Sequence, residues 1–348
     1  MPLLRAEWWE AHQPLVVFMW IILLVVPFAI VYGAGDTFET VLECIVNDYL
    51  TFIVLLFGLF CVSGNITVGG DFAGSPRVNA CLLALGTLLS NCIGTTGANM
   101  GGCLTPIGDP PLLMGFMRGV PFFWSMHLLP ILIFNLVILL FVFYHLDKKA
   151  YRKDIAEGRK PDISRPGTEF YIEGLHNIIL LAAFLSFKTT DSSIRTKNHF
   201  TWGAIKEVAV LFIGIFITMQ PALMLLKSVG PNLGISEPYQ MFRATGTLFS
   251  FLDNTPTYLV FLTTAGTLGL TGGITTALGQ IPVNLLEAIS CGAVFMGANT
   301  YIGNAPNFMV KAISDENGVN MPSFFGYILW PLAFLVPVFI LDMLVFFL

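Results

Sequence analysis

Gly86-Thr87-Leu88-Leu89-Ser90-Asn91-Cys92-Ile93-Gly94-Thr95-Thr96 lies over Gly246-Thr247-Leu248-Phe249-Ser250-Phe251-Leu252-Asp253-Asn254-Thr255-Pro256 without a gap, and five of the eleven positions are identical. A second pair follows, Thr105-Pro106-Ile107-Gly108-Asp109-Pro110-Pro111 over Thr300-Tyr301-Ile302-Gly303-Asn304-Ala305-Pro306. Each half then closes on an aromatic cluster, Val120-Pro121-Phe122-Phe123-Trp124 in one and Met321-Pro322-Ser323-Phe324-Phe325 in the other. Chance likeness between apolar segments falls on Leu, Val and Ile. These matches fall on Gly, Ser, Thr and Pro inside apolar surroundings, so the chain reads as an internal duplication.

The surroundings set the solvent. Of 348 residues 55% are hydrophobic and 11% charged, against about 25% charged in an ordinary soluble domain. Residues 15–146 carry eight charges, 147–207 nineteen and 208–348 nine. Two apolar territories flanking one charged segment are the pattern of a polytopic membrane protein and exclude a water-soluble enzyme. A net charge of −5 with no basic patch gives no reason to expect nucleic acid. The six cysteines, Cys44, Cys61, Cys81, Cys92, Cys103 and Cys291, stand in or beside apolar runs without CxxC pairs and read as small packing residues.

A crossing needs about 20 mostly apolar residues. The expected spans are 15–32, 49–66, 122–146, 205–229 and 324–347, with further apolar stretches at 79–93, 101–120, 258–279 and 285–313 that Gly, Pro, Asn and Asp should break. The run from Pro14 to Gly33 lacks a small-residue cleavage site and reads as a retained span. The stretch 174–187 is short for a crossing. Lys148, Lys149, Arg152, Lys153, Arg159, Lys160 and Arg165 mark the connection 147–173 as cytoplasmic. The domain reading is a first membrane repeat over 1–146, this connection, and a second membrane repeat over 174–348.

Paired Gly- and Pro-interrupted segments point to a transporter's binding site near the bilayer midplane. Unwinding a helix in lipid frees amide and carbonyl groups, which are costly unless they meet protein, water or an ion. The candidates are Ser90, Asn91, Thr95, Thr96, Thr105, Gly108 and Asp109 in the first half. In the second they are Asp253, Asn254, Thr255, Thr257, Asn299, Thr300, Gly303, Asn304 and Asn307. Hydroxyl, amide, carbonyl and carboxylate oxygens are the hard ligands a small cation prefers. Asp109 and Asp253 are intramembrane acids, for which function is the default reading; the prolines that follow also suit helix N-caps, and the two roles can coexist. Glu287 and Lys311 read as interfacial, Lys311 by snorkelling. His127, His145, His176 and His199, with Trp8, Trp9, Trp124, Trp202 and Trp330, read as membrane-interface residues.

These motifs, Ser90-Asn91 with Thr95-Thr96-Gly97-Ala98, Thr105 to Pro111, Asp253 to Pro256 and Gly297 to Pro306, resemble the ion transporter superfamily. The likeness is greatest to its bacterial sodium:proton antiporter branch with a citrate transporter-like domain, and it covers the chain from about Asp48 onward. The resemblance implies an all-α polytopic membrane protein with two inverted repeats, each holding a re-entrant hairpin and a broken helix. It places Ser90, Asn91, Thr95, Thr105 and Asp109 at one Na⁺ position and Asp253, Asn254, Thr255, Asn299, Thr300 and Asn304 at the other. Thr255 to Thr300 spans forty-five residues, whereas Thr95 to Thr105 spans ten. The first repeat is therefore expected to be truncated, about thirty-five residues short near 99–101.

The function expected is exchange of Na⁺ for H⁺ across the bacterial inner membrane, with Asp109 and Asp253 carrying the proton. The nearest alternative is sodium-coupled uptake of a citrate-like carboxylate anion, received at helix N-termini and by Arg118 or Arg243. Partners expected are Na⁺, H⁺, the lipid bilayer and a second copy of the chain as a homodimer, with no cofactor. A truncated, non-transporting membrane protein is a further alternative. An intramembrane aspartyl protease needs a Gly-Xaa-Gly-Asp turn, where this chain has Pro106-Ile107-Gly108-Asp109, and gives the repeat no use.

Overall fold

The computed structural model describes residues 6–63, 65, 67–69, 74–93, 100–158, 171–173, 190–197, 202–229, 232–252, 254–301, 303–304, 307, 311, 314 and 320–348. Thr95, Thr96, Asp253, His176, His199 and the stretch 174–187 lie outside them, as does the side chain of Asn254.

Helix α1 (Ala6–Tyr32) ends at Gly33, whose φ of 94° only glycine adopts without strain. Helix α2 (Ala34–Glu43) continues through a π-helical turn (Cys44–Leu50) into α3 (Thr51–Ser63). The span expected at 49–66 thus belongs to a longer helical run. Asp36, Glu39, Glu43 and Asp48 lower its hydropathy without breaking it, since no proline interrupts the stretch. Helix α4 (Pro76–Ile93) starts with Val78 N donating to Ser75 Oγ. A 3₁₀ turn (Met100–Leu104) leads to α5 (Pro110–Met117), and a second one (Phe122–Leu128) to α6 (Leu129–Ala156).

The second half holds α7 (Ser192–Lys197), α8 (Gly203–Val229), α9 (Pro238–Phe249), α10 (Asn254–Thr267), α11 (Val283–Met296) and α12 (Phe324–Asp342), which closes in a π-helical turn (Met343–Phe347). The only sheet among the described residues is two short antiparallel pairs. β1 (Thr67–Gly69) lies on β2 (Tyr171–Glu173), and β3 (Ile274–Thr276) on β4 (Gly279–Ile281). The protein is an all-α polytopic membrane protein. Ala11–Tyr32, Phe122–Ala156, Val208–Leu225 and Phe324–Phe347 are long and apolar enough to cross, and they match four of the five expected spans.

The charged connection expected from Asp147 begins as helix. Lys148, Lys149, Arg152 and Lys153 ride the last turns of α6, which stops at Gly158 with φ 77°. Good helix formers carry the helix on, basic residues suit its C-terminus, and glycine supplies the left-handed stop.

Helices α9, α10 and α11 have 12, 14 and 14 residues. At 1.5 Å per residue that is about 18–21 Å, short of the ~30 Å hydrocarbon thickness. Helix α11 is nevertheless the centre of the molecule: Leu285, Leu286 and every residue from Ala288 to Met296 are buried. A helix this apolar must be covered by lipid or by protein, and here it is protein. Its cover is α9, α10, the 100–104 turn, α5 and the 122–128 turn. Glycine permits the closest approach: a Cβ on Gly292 would meet Phe242 O of α9, and one on Gly246 would overlap Met296. Small residues bring backbones together in the same way in other membrane helices.

The interfacial reading of Trp124 is corrected. It is 4% exposed and stacks on His127, because Pro121 turns the chain into the 3₁₀ segment that tucks beneath α11. Trp8, Trp202 and Trp330 are exposed, as a lipid-headgroup belt requires. Of the cysteines, Cys44, Cys61, Cys103 and Cys291 are buried packing residues and Cys81 is exposed.

Candidate ion-binding site

Two helix breaks carry the candidate residues. In the first, Ser90 Oγ donates to Gly86 O at 2.8 Å near the end of α4. Thr105 Oγ1 donates to Asn91 O at 2.6 Å, and Gly108 N donates back to Thr105 Oγ1 at 3.1 Å. Asn91 is spent partly on the same joint, since its Oδ1 accepts from Leu104 N at 2.9 Å. In the second, Ser250 Oγ donates to Gly246 O at 2.9 Å, Thr300 Oγ1 donates to Ser250 O, and Gly303 N donates to Thr300 Oγ1 at 3.1 Å. The glycine approaches repeat as well: a Cβ on Gly108 would strike Gly102 O, and one on Gly303 would strike Gly297 O. The turn is thus built twice on the same pattern, the threonine hydroxyl reaching Asn91 O in the first break and, one aligned position earlier, Ser250 O in the second.

Asp109 and Asn304 occupy equivalent places. Asp109 is the N-cap of α5 with φ −144° and ψ 134°, followed by Pro110 and Pro111. The backbone is therefore the capped helix start that the prolines foretell. The side chain makes no capping hydrogen bond and is 0% exposed. Capping therefore does not account for the carboxylate. Asn304 is 3% and Thr255 2% exposed. Asn299 Nδ2 donates to Ser250 Oγ at 2.9 Å, and Asn307 Nδ2 donates to Gly297 O and Thr300 O at 2.9 and 2.8 Å. Lys311 reaches over the Tyr301 ring at 5.8 Å, and Glu287 is half-buried.

The halves meet through α11, which enters the second break at Met296 and packs on the 100–104 turn and α5 of the first. Gly115 of α5 lies against the Tyr258 hydroxyl of α10, and Tyr258 Oη is 3.3 Å from Ser290 Oγ of α11. Among the described residues no three His, Cys, Asp or Glu side chains cluster as metal ligands. The donor set here is hydroxyl, amide and carbonyl oxygen with Asp109, which suits a weakly held alkali cation as cargo.

The two arginines part company. Arg118, at the C-terminus of α5, donates from Nη2 to Asp48 Oδ1 at 2.8 Å and lines a polar cavity of about 170 Å³ with Glu43, Asn47, Gln220 and Thr263. Its charge is paired with Asp48, while its buried Nε has no hydrogen-bond partner among the described residues. Arg243 lines a cavity of about 490 Å³ beside Ser250, Asn299 and Thr300 and forms no ion pair among the described residues. The Asp48–Arg118 pair escaped the sequence reading because its members stand seventy residues apart. The Asn135–Asp342 contact escaped too, at a separation of 207.

The chain matches the family described as "Putative citrate transport" over residues 1–100, 98–184 and 178–347. The three matched segments meet at 98–100 and 178–184. No curated protein matches the chain.

Proposed function

From its membership of this citrate-transport family of secondary transporters, to which the chain belongs, we propose that the protein exchanges Na⁺ for H⁺ across the bacterial inner membrane. The observation that carries the reading is Asp109, wholly buried and unused in capping, within an oxygen-rich turn that the second half repeats at Thr300–Asn304. Na⁺ takes oxygens of Ser90, Asn91, Thr105 and Asp109 in one half, and of Asp253, Asn254, Thr255, Asn299, Thr300 and Asn304 in the other. Gly108 and Gly303 allow the backbone to turn there. When the ion leaves, the carboxylates of Asp109 and Asp253 take a proton in its place, since an intramembrane acid that has lost its cation favours its neutral form. One site used in turn by two cations couples their fluxes, and rocking of the broken helices exposes it to each side.

A second reading is favoured by Arg243 and by the family's description. A carboxylate anion at the 490 Å³ cavity would meet that guanidinium beside Thr247, Ser250, Asn299 and Thr300, the rest of the lining being apolar, with Phe242, Phe251, Met296 and Phe339 among it. Carboxylate uptake would then be driven by sodium at the same oxygens.

Purified protein in lipid vesicles, given Na⁺, Li⁺ or citrate across the membrane, separates the readings. Proton movement evoked by Na⁺ or Li⁺ alone supports exchange. Sodium flux that requires citrate moves the assignment to carboxylate uptake. No flux with any of them would leave a membrane protein whose short first half has lost transport.

A further inference from the structure

Between α6 and α12 lies a carboxylate that the transport scheme does not use. Asp342 closes α12 and is 0% exposed, as is Asn135 opposite it on α6. Asn135 Nδ2 stands 2.9 Å from Asp342 Oδ1 and 3.0 Å from Oδ2, so one hydrogen is shared by two oxygens. The amide's other hydrogen goes to Ile131 O at 2.9 Å. A charged carboxylate offers about four acceptor positions. Here Asp342 forms no ion pair among the described residues.

Asn135 has the complementary deficit. Its Oδ1 is buried and accepts no hydrogen bond among the described residues. A buried acceptor left empty is costly, and what the pair lacks is a single proton. On a protonated Asp342, the new O–H donates to Asn135 Oδ1 while the amide N–H donates to the other carboxyl oxygen. Two hydrogen bonds then close a ring. Both carboxyl oxygens already lie within hydrogen-bond reach of the amide, so a turn of that group completes it. The chain also winds into a π-helical turn directly after Asp342, a widening that recurs at functional positions in helices.

The groups around the pair leave its charge uncompensated. Cys291 of α11 interacts electrostatically with Asp342, and with Glu287 on its own helix and Cys103 of the 100–104 turn. The 297–299 turn packed on α12 contributes no titratable side chain. From α9, Arg243 lines the cavity that Phe339 and Met343 also border, but it forms no ion pair with Asp342.

We propose that Asp342 is a proton-binding residue of the transporter, forming an acid–amide pair with Asn135 when protonated and reverting to the shared contact when the proton leaves. The proton comes from and returns to water, and the charge at the α6–α12 contact alternates between zero and minus one. The role in transport rests on the H⁺-coupled reading above; the binding of the proton does not.

Infrared difference spectra of the protein in lipid vesicles, taken between acid and alkaline buffer, read the proton directly. A carboxylic-acid C=O band is expected that disappears in Asp342→Asn and shifts in Asn135→Ala. In the same vesicles Asp342→Asn is expected to keep sodium-for-sodium exchange and lose Na⁺-evoked proton movement by about tenfold or more, while Asp109→Asn loses both. The double variant Asn135→Asp with Asp342→Asn returns an acid to the pair from the other helix and should restore band and proton movement, separating a proton site from a packing defect. A carboxylic-acid region left unchanged by Asp342→Asn, with no component lost beside those of Asp109 and Asp253, or proton movement at the wild-type rate in that variant, overturns the assignment. If wild-type vesicles moved no protons, the exchange reading would fail while the infrared band still decided whether Asp342 binds one.

Discussion

Thr105 and Thr300 each give a hydroxyl hydrogen to a carbonyl at the end of the helix behind them, and each receives the amide of the glycine three residues on. The chain reaches them by different routes. Before Thr300 come α10, the β3–β4 hairpin and α11; before Thr105 the described chain holds only the 100–104 turn after α4. The turn survives because its hydrogen bonds are closed within one helix end and one short segment. What the long route adds is enclosure, and the second half's α10 and α11 supply it to both breaks by packing on α5 and the 100–104 turn. The difference at the final position is chemical: Asp109 in one, Asn304 in the other. One break carries the charge at that place, and its partner keeps the shape.

Exchanging that chemistry should have the largest effect. Asp109→Asn is expected to cut Na⁺-evoked flux by at least about tenfold, some 1.4 kcal/mol of ion binding, with the protein still monodisperse in detergent. Asn304→Ala should cost less, and equal losses in the two variants would erase the distinction between the breaks. The shared shape comes next. Gly108→Ala and Gly303→Ala each push a methyl group into a backbone carbonyl, and overpacking of that kind costs about 1–3 kcal/mol. Thermal unfolding in detergent should fall by similar amounts for both, and a tolerated Gly108→Ala would mean that the first turn is looser than the second. The smallest effect is expected for Thr105→Val and Thr300→Val. Each loses the hydroxyl that links helix end to glycine, about 1–2 kcal/mol, and Thr→Ser should restore it.

Much of this was legible in the sequence because the breaks are made of residues that are conspicuous in lipid. Gly, Ser, Thr and Pro at matched positions pointed to the turn that recurs at Thr105 and Thr300, and the prolines after Asp109 announced the start of α5. The pairs that hold distant helices together were not legible. Asp48 and Arg118, or Asn135 and Asp342, are single polar residues in separate apolar runs, and nothing in either run states which partner it meets. Trp124 read as an interfacial aromatic because sequence gives its chemistry but not the turn of Pro121 that buries it. The shortened approach to Thr105 was legible as plain spacing. We propose that it is a loss relative to the second half, a reading supported by the family match, which divides at 98–100 where the missing arm would stand.

Sodium binding that displaces a proton is the step on which the scheme turns, and it needs no vesicle to observe. Na⁺ added to purified protein in weakly buffered detergent, with a pH indicator present, should release protons from the wild type and markedly fewer from Asp109→Asn, which keeps only Asp253 of the two exchanging carboxylates. No release from the wild type, or the same release from Asp109→Asn, would contradict the account.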